Sequence, residues 1–503
     1  MLSDNTCRAL RAALTDSDYT VDAVVDLIGE EAHRALGRNS TVAAVRALRG
    51  RRDRLSTLTL LWPLQRPVPR DDLEIALPGV VDALMAAEVL SQQGSTVRAE
   101  IDIRPYASDD GAAGWVVSDL SPGLDSTVAP MRPDFVLGVS PASSTLAQLT
   151  VRRPVARALD LGTGCGVQSL HLARHADTVV ATDLNPRAVE LARLTFALNQ
   201  VDVDLRLGSM YEPVEGEQFD LIVTNPPYVM SPPGPDADRL TYREGGWEAD
   251  GLVQHVVQRG AELLADGGTL QVLANWAHPK DSASAEPNSG KGWADRLAAW
   301  IEPTGCDALV IQRETLDPYE YIELWLADAG LSGSPDYTKR YEEWLDYFER
   351  LGIAAVGMGW IVLHKTGRAT PQVQIENWPY GVEQPIGPAI QAHRAAVDLE
   401  QRFSVADLLE QRWVLADDIV EESTATPGGA GLNQIVLRQQ RGFRRAVEAD
   451  TALAGILGAC DGEMPLGRIV ATVAEILEVD AAALQAETLP KVRMLVRDAF
   501  LGI

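Results

Sequence analysis

The tetrapeptide Asn225-Pro226-Pro227-Tyr228 follows an apolar run at residues 219–224 and carries groups that could hold a planar nitrogen. An amide or an aromatic amine has a delocalised lone pair, so a catalyst must accept its two N–H hydrogens and aim the nitrogen at an electrophile. The side-chain oxygen of Asn225 and the carbonyl oxygen of Pro226 can supply these two acceptors.

The other two residues of the tetrapeptide suit the same task. Pro227 stiffens the corner because its ring fixes φ and restricts the residue before it. Tyr228 offers an aromatic face to a flat substrate and to a nearby cation. The tetrapeptide therefore predicts methyl transfer onto a planar nitrogen, although Asn and Pro are also common in a loop that only ends a strand.

A glycine-rich turn stands upstream of the tetrapeptide. Residues 156–161 are predicted to form a buried strand, Gly162-Thr163-Gly164-Cys165-Gly166 the turn, and a helix is predicted to begin near Val167. Glycines allow a backbone to approach a ligand closely. A single glycine turn is nevertheless often a tight turn without a ligand.

An acid ends the next apolar run. Residues 178–182 are predicted to form a strand, and Asp183 follows it, placed to accept hydrogen bonds from two ribose hydroxyls as acids do in dinucleotide-binding folds. The alternative is that Asp183 caps the helix predicted for residues 186–199.

The turn, the acid and the tetrapeptide come in this order at the ends of strands one, two and four of an alternating β/α pattern. With this order the chain resembles the class I S-adenosylmethionine-dependent methyltransferases, specifically the subgroup with an NPPY motif. It is similar to the HemK-like glutamine N-methyltransferases of peptide release factors, including the eukaryotic type, which carry a glycine-containing segment like residues 241–252. The resemblance covers about half of the chain and implies a Rossmann-like α/β domain with seven strands and S-adenosyl-L-methionine as the cofactor.

The resemblance also implies site residues. Asp160 and the glycine turn would contact the methionine and ribose parts of the cofactor, Asp183 the ribose, and Leu184 the adenine. Relatives often have an acid at the position of Ser209, so the adenine edge would be held differently here. The implied cofactor-binding residues are Asp160, Gly162, Thr163, Gly164, Gly166, Asp183, Leu184, Ser209, Met210 and Asn225. The implied catalytic residues are Asn225, Pro226 and Tyr228, and the substrate-binding residues are Asn225, Pro226, Pro227 and Tyr228.

No proton-abstracting base is needed in this chemistry, because the nitrogen becomes acidic as the methyl group arrives and its proton can leave late to water. His255 and His278 are therefore predicted to be bystanders.

The 503 residues suggest three domains. Residues 1–125 are predicted to be a helical, winged-helix-like domain whose wing pairs 97–104 with 115–118. Residues 130–366 are predicted to be the methyltransferase domain, and 367–503 an α+β domain. A helical, aromatic-rich insertion is predicted at 317–350. Its aromatic spacing favours packing onto the core over a substrate-binding surface.

Composition limits the classes of function. The chain lacks an apolar run of about 20 residues and a signal-peptide pattern, which predicts a cytoplasmic protein without a membrane span. Its four cysteines are widely scattered, so neither a disulfide scaffold nor a metal site is expected. The net charge of −27 argues against nonspecific attraction of the whole molecule to nucleic acid.

A concentrated group of arginines is the exception to the acidic composition, and it could meet RNA, although a solvated face is the favoured interpretation. Its members are Arg38, Arg46, Arg49, Arg51, Arg52, Arg54, Arg66 and Arg70. A protein glutamine, as in a peptide release factor, is the favoured methyl acceptor, and the alternative is an exocyclic amine of an RNA or DNA base. A second alternative is a regulatory protein that keeps the cofactor fold without catalysis.

Overall fold

The computed structural model describes residues 2–127, 131–233, 240–280, 291–424 and 434–503. The chain divides into two compact units, one formed by residues 1–147 and 153–379 and the other by residues 148–152 and 380–503.

The N-terminal part of the first unit is a group of short helices with two small sheets. Its helices are α1 Asp4–Asp16, α2 Val21–Ile28, α3 Glu30–Leu36, α4 Val42–Ala47, α5 Arg54–Leu61, α6 Arg70–Ala76 and α7 Val81–Ala86. Its strands are β1 Val68–Pro69, β2 Leu90–Gln93, β3 Thr96–Ala99, β4 Asp102–Ala107 and β5 Ala113–Ser118. β1, β3 and β2 form one antiparallel sheet, and β4 pairs with β5 in another.

The predicted wing is wrong in one respect. Residues 97–104 form two strands, β3 and β4, and β3 pairs with β2 instead of with residues 115–118. The period of two continues across the bend, because Val97, Ala99, Ile101 and Ile103 are all buried. The alternation alone therefore could not reveal that the strand is broken.

The central part of the first unit is built on one large mixed sheet. Its helices are α8 Pro141–Leu149, α9 Val167–Leu172, α10 Pro186–Asn199, α11 Gly251–Glu262, α12 Lys291–Ile301, α13 Pro318–Asp328 and α14 Tyr337–Leu351. Its strands are β6 Val155–Leu161, β7 Ala176–Asp183, β8 Asp204–Leu207, β9 Phe219–Thr224, β10 Leu264–Pro279, β11 Asp307–Leu316, β12 Ile353–His364 and β13 Val373–Asn377.

The strand order is β13-β11-β12-β10-β9-β6-β7-β8, and β12 is antiparallel to both of its neighbours. Strands with both faces covered are apolar almost throughout, and β9 is buried at every residue except Asp220. The described residues form eight strands in this sheet, one more than the predicted seven, because β13 pairs in parallel with β11 at one edge. Residues 367–379, predicted to begin the C-terminal domain, consequently lie in the first unit.

One hydrophobic core joins the N-terminal helices to α9 and α10. The hairpin β4–β5 contacts α10 through polar groups as well. The side-chain amide of Asn199 accepts from the backbone N–H of Trp115 at 3.0 Å and donates to its carbonyl oxygen at 2.7 Å. The N–H of Val117 donates to the hydroxyl of Thr195 at 3.0 Å. The first 118 residues therefore share packing and hydrogen bonds with the large sheet's helices.

The second unit has its own core and combines helices with strands. Its helices are α15 Gly387–Arg402, α16 Val405–Glu410, α17 Thr451–Gly458, α18 Leu466–Ile476 and α19 Ala481–Arg497. Its strands are β14 Val414–Leu415, β15 Ile419–Thr424, β16 Gln434–Gln439, β17 Ala446–Ala449 and β18 Leu501–Gly502. Trp413 is fully buried in this core, and the buried Glu400 pairs with Arg493 at 2.7 Å and Arg497 at 3.2 Å.

Candidate functional site

The predicted site residues lie where three parallel strands end. β6 leads into the glycine turn, β7 ends at Asp183 and β9 leads into the tetrapeptide. Because the carboxyl ends of parallel strands share one edge of a sheet, these three features meet there. A cavity of about 540 Å³ opens at this edge.

The cavity brings together most of the residues that the sequence predicted. Those on its wall are Asp160, Gly162, Thr163, Gly164, Asp183, Leu184, Ser209, Met210, Asn225, Pro226 and Pro227. Gly166 and Tyr228 are predicted site residues that do not line it. The volume lies in the range of small-molecule and cofactor sites.

The glycines of the turn have two different uses. Gly162, Gly164 and Gly166 all have positive φ, at 74°, 56° and 86°. A Cβ on Gly166 would lie 2.7 Å from the ring of Phe196, so this glycine allows close packing of α9 against α10. A Cβ on Gly162 or Gly164 would have no described atom within 4 Å, so these two leave the backbone open to a ligand.

Asp183 is fixed by the backbone. Its carboxylate accepts hydrogen bonds from the N–H of Gly164 at 2.9 Å and of Asn185 at 2.8 Å. The cap of α10 is Asn185, whose side chain accepts from the N–H of Arg187, so Asp183 is not needed as the cap. Burial raises the pKa of Asp183, which a ligand rich in hydroxyl donors would oppose.

Asp160 is almost fully buried and accepts hydrogen bonds from two hydroxyls, those of Thr163 and Ser169, each at 2.7 Å. Burial raises its pKa to about 6 against the opposing effect of these hydrogen bonds, and the nearby charge of Asp183 adds to the increase. Two carboxylates with raised pKa on one cavity wall are an electrostatic environment that favours a cationic ligand.

Asn225 carries a buried acceptor. Its Oδ1 atom accepts no hydrogen bond from any residue that the structure describes. Leaving such an atom without a donor costs about 1–3 kcal/mol, so a donor that enters the cavity would be stabilised there. The carbonyl oxygen of Pro226 accepts from the N–H of Tyr228 at 2.8 Å and keeps a second lone pair.

Tyr228 is behind the cavity wall. Its ring packs edge-on against that of Trp325 in α13, with centroids 6.3 Å apart. Burial, and then the charge of Asp328, raise the pKa of its hydroxyl to about 12. The predicted contact of Tyr228 with a substrate stays a prediction.

Sequence reasoning assigned no role to several aromatic and basic residues of the cavity wall, and it predicted His255, which lines the wall, to be a bystander. Trp247 stacks on His255 with ring centroids 4.9 Å apart, and Tyr242 contacts Phe135 edge-on at 5.9 Å. Burial, and then the charge of Arg259, lower the pKa of His255. Their position in the sequence could have identified these residues. Tyr242 and Trp247 lie in the glycine-containing segment after the tetrapeptide, and His255 lies in α11, the helix that follows it.

The other predicted surfaces have mixed outcomes. In the arginine group, Arg51, Arg52, Arg66 and Arg70 each pair with a carboxylate. In the insertion, Trp344 and Phe348 are buried, as the core-packing interpretation requires.

The described part of the chain contains no helix that combines the length and apolar character of a membrane span. No cluster of three or more His, Cys, Asp or Glu side chains in the same part is arranged to hold a metal ion.

Residues 138–286 match the family described as "Methyltransferase small domain". Residues 16–100 and 397–502 match two further families, each described as a domain of unknown function. The matched region contains the glycine turn, Asp183 and the tetrapeptide.

Two curated relatives share this region. The chain is 31% identical over 203 residues to a release factor glutamine methyltransferase of Geobacter sulfurreducens, covering 38% of this chain and 64% of the relative. It is 29% identical over 175 residues to ribosomal RNA small subunit methyltransferase C of Salmonella arizonae, covering 34% and 44%. The chain spans less than half the length of several curated relatives that it matches.

A solved structure of the T. thermophilus 16S rRNA N2 G1207 methyltransferase is similar at 21% identity, covering 41% of this chain and 53% of that one, with a TM-score of 0.26. The family match and the curated relatives confirm the prediction of a methyltransferase domain, with S-adenosylmethionine as its cofactor, in the central part of the chain.

Proposed function

We propose that this chain, with a methyltransferase domain at its centre, is an S-adenosylmethionine-dependent N-methyltransferase that acts on a planar nitrogen, and that the nitrogen is the side-chain amide of a protein glutamine. The observation that carries the proposal is the buried Oδ1 of Asn225, which lacks a donor among the described residues and belongs to a residue that lines the same cavity as Asp160 and Asp183.

The residues of the cavity fit the cofactor. Asp183 would accept from the ribose hydroxyls, and Gly162 and Gly164 leave the backbone open on the same wall. Leu184, whose side chain is exposed, would pack on the adenine. The carboxylate of Asp160 contributes negative charge to the side where a cation would lie. Bound here, S-adenosylmethionine supplies an electrophilic methyl group on a positively charged sulfur.

The tetrapeptide would orient the acceptor. Asn225 Oδ1 and the free lone pair of the Pro226 carbonyl oxygen would accept the two N–H hydrogens and turn the nitrogen toward the methyl group. The same oxygens would stabilise the positive charge that develops on the nitrogen. Its proton can then leave to water, so the mechanism requires no side-chain base.

Several observations support a protein acceptor. The net charge of −27 opposes binding to nucleic acid, and four members of the arginine group are already paired with carboxylates. The release factor glutamine methyltransferases among the relatives, and the glycine-containing segment, support a release-factor glutamine as the acceptor. The rRNA methyltransferase among the relatives favours the second candidate, an exocyclic amine of an RNA base, with the remaining arginines as its contact.

The test is transfer of a labelled methyl group from S-adenosylmethionine to purified peptide release factor, to total RNA and to fractionated cell extract. We expect label in release factor and in protease-sensitive material of the extract, recovered as N-methylglutamine. In the same assay Asn225→Ala should lose transfer, and Asn377→Ala, at the end of β13 and outside the cavity wall, is its matched control.

Nuclease-sensitive label would contradict a protein acceptor and favour an exocyclic amine of an RNA base. Absence of label in every fraction, from a chain that still binds the cofactor, would favour the regulatory alternative.

A further inference from the structure

The segment of residues 240–245 sets the backbone position of the tetrapeptide. The N–H of Val229 donates to the carbonyl oxygen of Arg243 at 2.8 Å, and the N–H of Gly245 donates to that of Pro227 at 3.1 Å. Tyr228 and Glu244 form an isolated antiparallel bridge between these two bonds. A movement of the segment would therefore move the tetrapeptide.

Gly245 allows this close approach. A Cβ at this position would lie 2.6 Å from the side chain of Leu252 and 3.2 Å from the carbonyl oxygen of Pro227. The segment and the tetrapeptide are thus in direct backbone contact, with no room for a side chain between them.

The same segment is held by the end of α13. The carboxylate of Asp328 accepts from the hydroxyl of Tyr242 at 2.7 Å and from the guanidinium of Arg243 at 3.1 Å. Arg243 also donates to the carbonyl oxygen of Trp325 at 2.7 Å, and its guanidinium carbon lies 5.7 Å from the centre of the Trp325 ring. Trp325 in turn contacts Tyr228.

The charges in this contact make it sensitive to the loss of one partner. The side chain of Arg243 is only 7% exposed, whereas that of Asp328 is 40% exposed. Removing Asp328 would leave a buried guanidinium with Glu244 as its remaining described carboxylate partner, at 3.0 Å. Burial and the charge of Asp328 raise the pKa of Tyr242, in keeping with a hydroxyl that donates to this carboxylate.

We propose that Asp328 is a positioning residue for methyl transfer, which fixes Tyr242 and Arg243 and through them the orientation of the Asn225–Tyr228 tetrapeptide. The proposal rests on the proposed function for its catalytic consequence. α13 belongs to the helical insertion and lies outside residues 138–286, so the region matched by the methyltransferase family does not include this support.

The first test compares Asp328→Ala with Glu323→Ala. Glu323 is on the same helix, and its side chain accepts from Tyr341 at 3.2 Å, so the control removes a carboxylate without touching residues 240–245. We expect kcat of Asp328→Ala to fall by about 10-fold to 100-fold, because a small displacement of the reacting groups lowers the rate of the chemical step. The Kd for S-adenosylmethionine should stay within about twofold of the wild-type value. Glu323→Ala should keep wild-type kcat.

Further variants show whether a lower kcat in Asp328→Ala results from lost positioning or from misfolding. Asp328→Asn keeps an acceptor oxygen, so it should recover part of the lost kcat. The double variant Asp328→Ala/Arg243→Lys should lose little more than the more impaired single variant, because both changes act through one contact. Losses that add would overturn the assigned route through Arg243.

A readout independent of turnover is hydrogen exchange at the amides of Val229 and Gly245. We expect exchange of both to be at least about tenfold faster in Asp328→Ala and unchanged in Glu323→Ala. Wild-type kcat in Asp328→Ala, or unchanged exchange at both amides, would overturn the proposal. A wild-type chain that transfers no methyl group would instead count against the proposed function, while faster exchange would still support the positioning contact.

Discussion

Polar groups on two walls of the cavity are satisfied differently. On the proposed cofactor wall, formed by Asp160, residues 162–165 and Asp183, the carboxylates accept hydrogen bonds from the chain's own hydroxyls and amides. On the acceptor wall, the tetrapeptide, the buried Oδ1 of Asn225 lacks a donor among the described residues. The cofactor wall is therefore preorganised, whereas the acceptor wall keeps a desolvation cost that an entering N–H can relieve.

The largest expected effect is on the acceptor wall. Asn225→Ala should lower kcat by about 100-fold or more, because it removes an acceptor for charge that develops in the transition state, and should change cofactor Kd by less than about tenfold. Labelled-methyl transfer and calorimetry measure the two quantities. Near-normal turnover would reject the assigned role of Asn225.

The same variant tests the difference between the two walls through protein stability. Removing a buried acceptor that has no described donor should not lower the melting temperature of the apo protein. Asn275→Ala is the contrast, because the Asn275 amide is buried and donates to the hydroxyl of Tyr321 at 3.1 Å, so its loss should destabilise. An Asn225→Ala protein that melts clearly below wild type would mean that Asn225 contributes to folding.

On the cofactor wall, Asp183→Ala should weaken S-adenosylmethionine binding by about 1.5–3 kcal/mol through lost charged hydrogen bonds. Asp183→Asn should lose less, since it keeps an acceptor for the amide of Gly164 or Asn185. Calorimetry measures both affinities. An unchanged Kd in Asp183→Ala would contradict the placement of the ribose.

Acid should weaken cofactor binding through Asp160. Burial disfavours the ionised form of Asp160 and raises its pKa in the folded chain to about 6, above the ordinary value. The contribution of this carboxyl group to the stability of the folded chain therefore falls as the pH rises from that ordinary value through 6. A cationic ligand favours the ionised form, and cofactor affinity should therefore fall by up to about tenfold between pH 7 and pH 5. Asp160→Asn should have a flatter affinity profile over this range, and an equally steep profile would assign the dependence to another group.

The smallest expected effect concerns Leu184. Leu184 is 57% exposed and lines the cavity, so Leu184→Ala should change stability by less than about 0.5 kcal/mol and weaken cofactor binding by about 1 kcal/mol through lost apolar contact. Leu207→Ala is a matched control, because Leu207 is 55% exposed and lies outside the cavity wall. Equal binding losses in the two variants would argue against an adenine contact at Leu184.

The convergence of the strand ends was predictable from sequence. Apolar runs of β6, β7 and β9 are each followed by a residue type with a specific chemical use, and parallel strands bring such residues to one edge. The eighth strand was not predictable, because Val373–Asn377 is only partly buried and lacks the apolar run of an inner strand.

Other features of the site depend on contacts between distant residues. Asp183 and Asn185 are both good helix caps, and only the backbone path shows that Asn185 is the one used. The state of Asn225 Oδ1 depends on which donors the folded chain brings near it. Asp328 and Arg243 are far apart in the sequence, so no local sequence pattern predicts their pairing.

The side-chain amide of Asn199 protects the edge of β5 as a neighbouring strand would, because it bonds both the backbone N–H and the carbonyl oxygen of Trp115. A fragment that begins after residue 130 would leave this amide and the apolar side of α10 facing water. Truncation to the methyltransferase domain alone should therefore yield an aggregation-prone, poorly expressed product, and the amino-terminal quarter has to be kept in any shortened form.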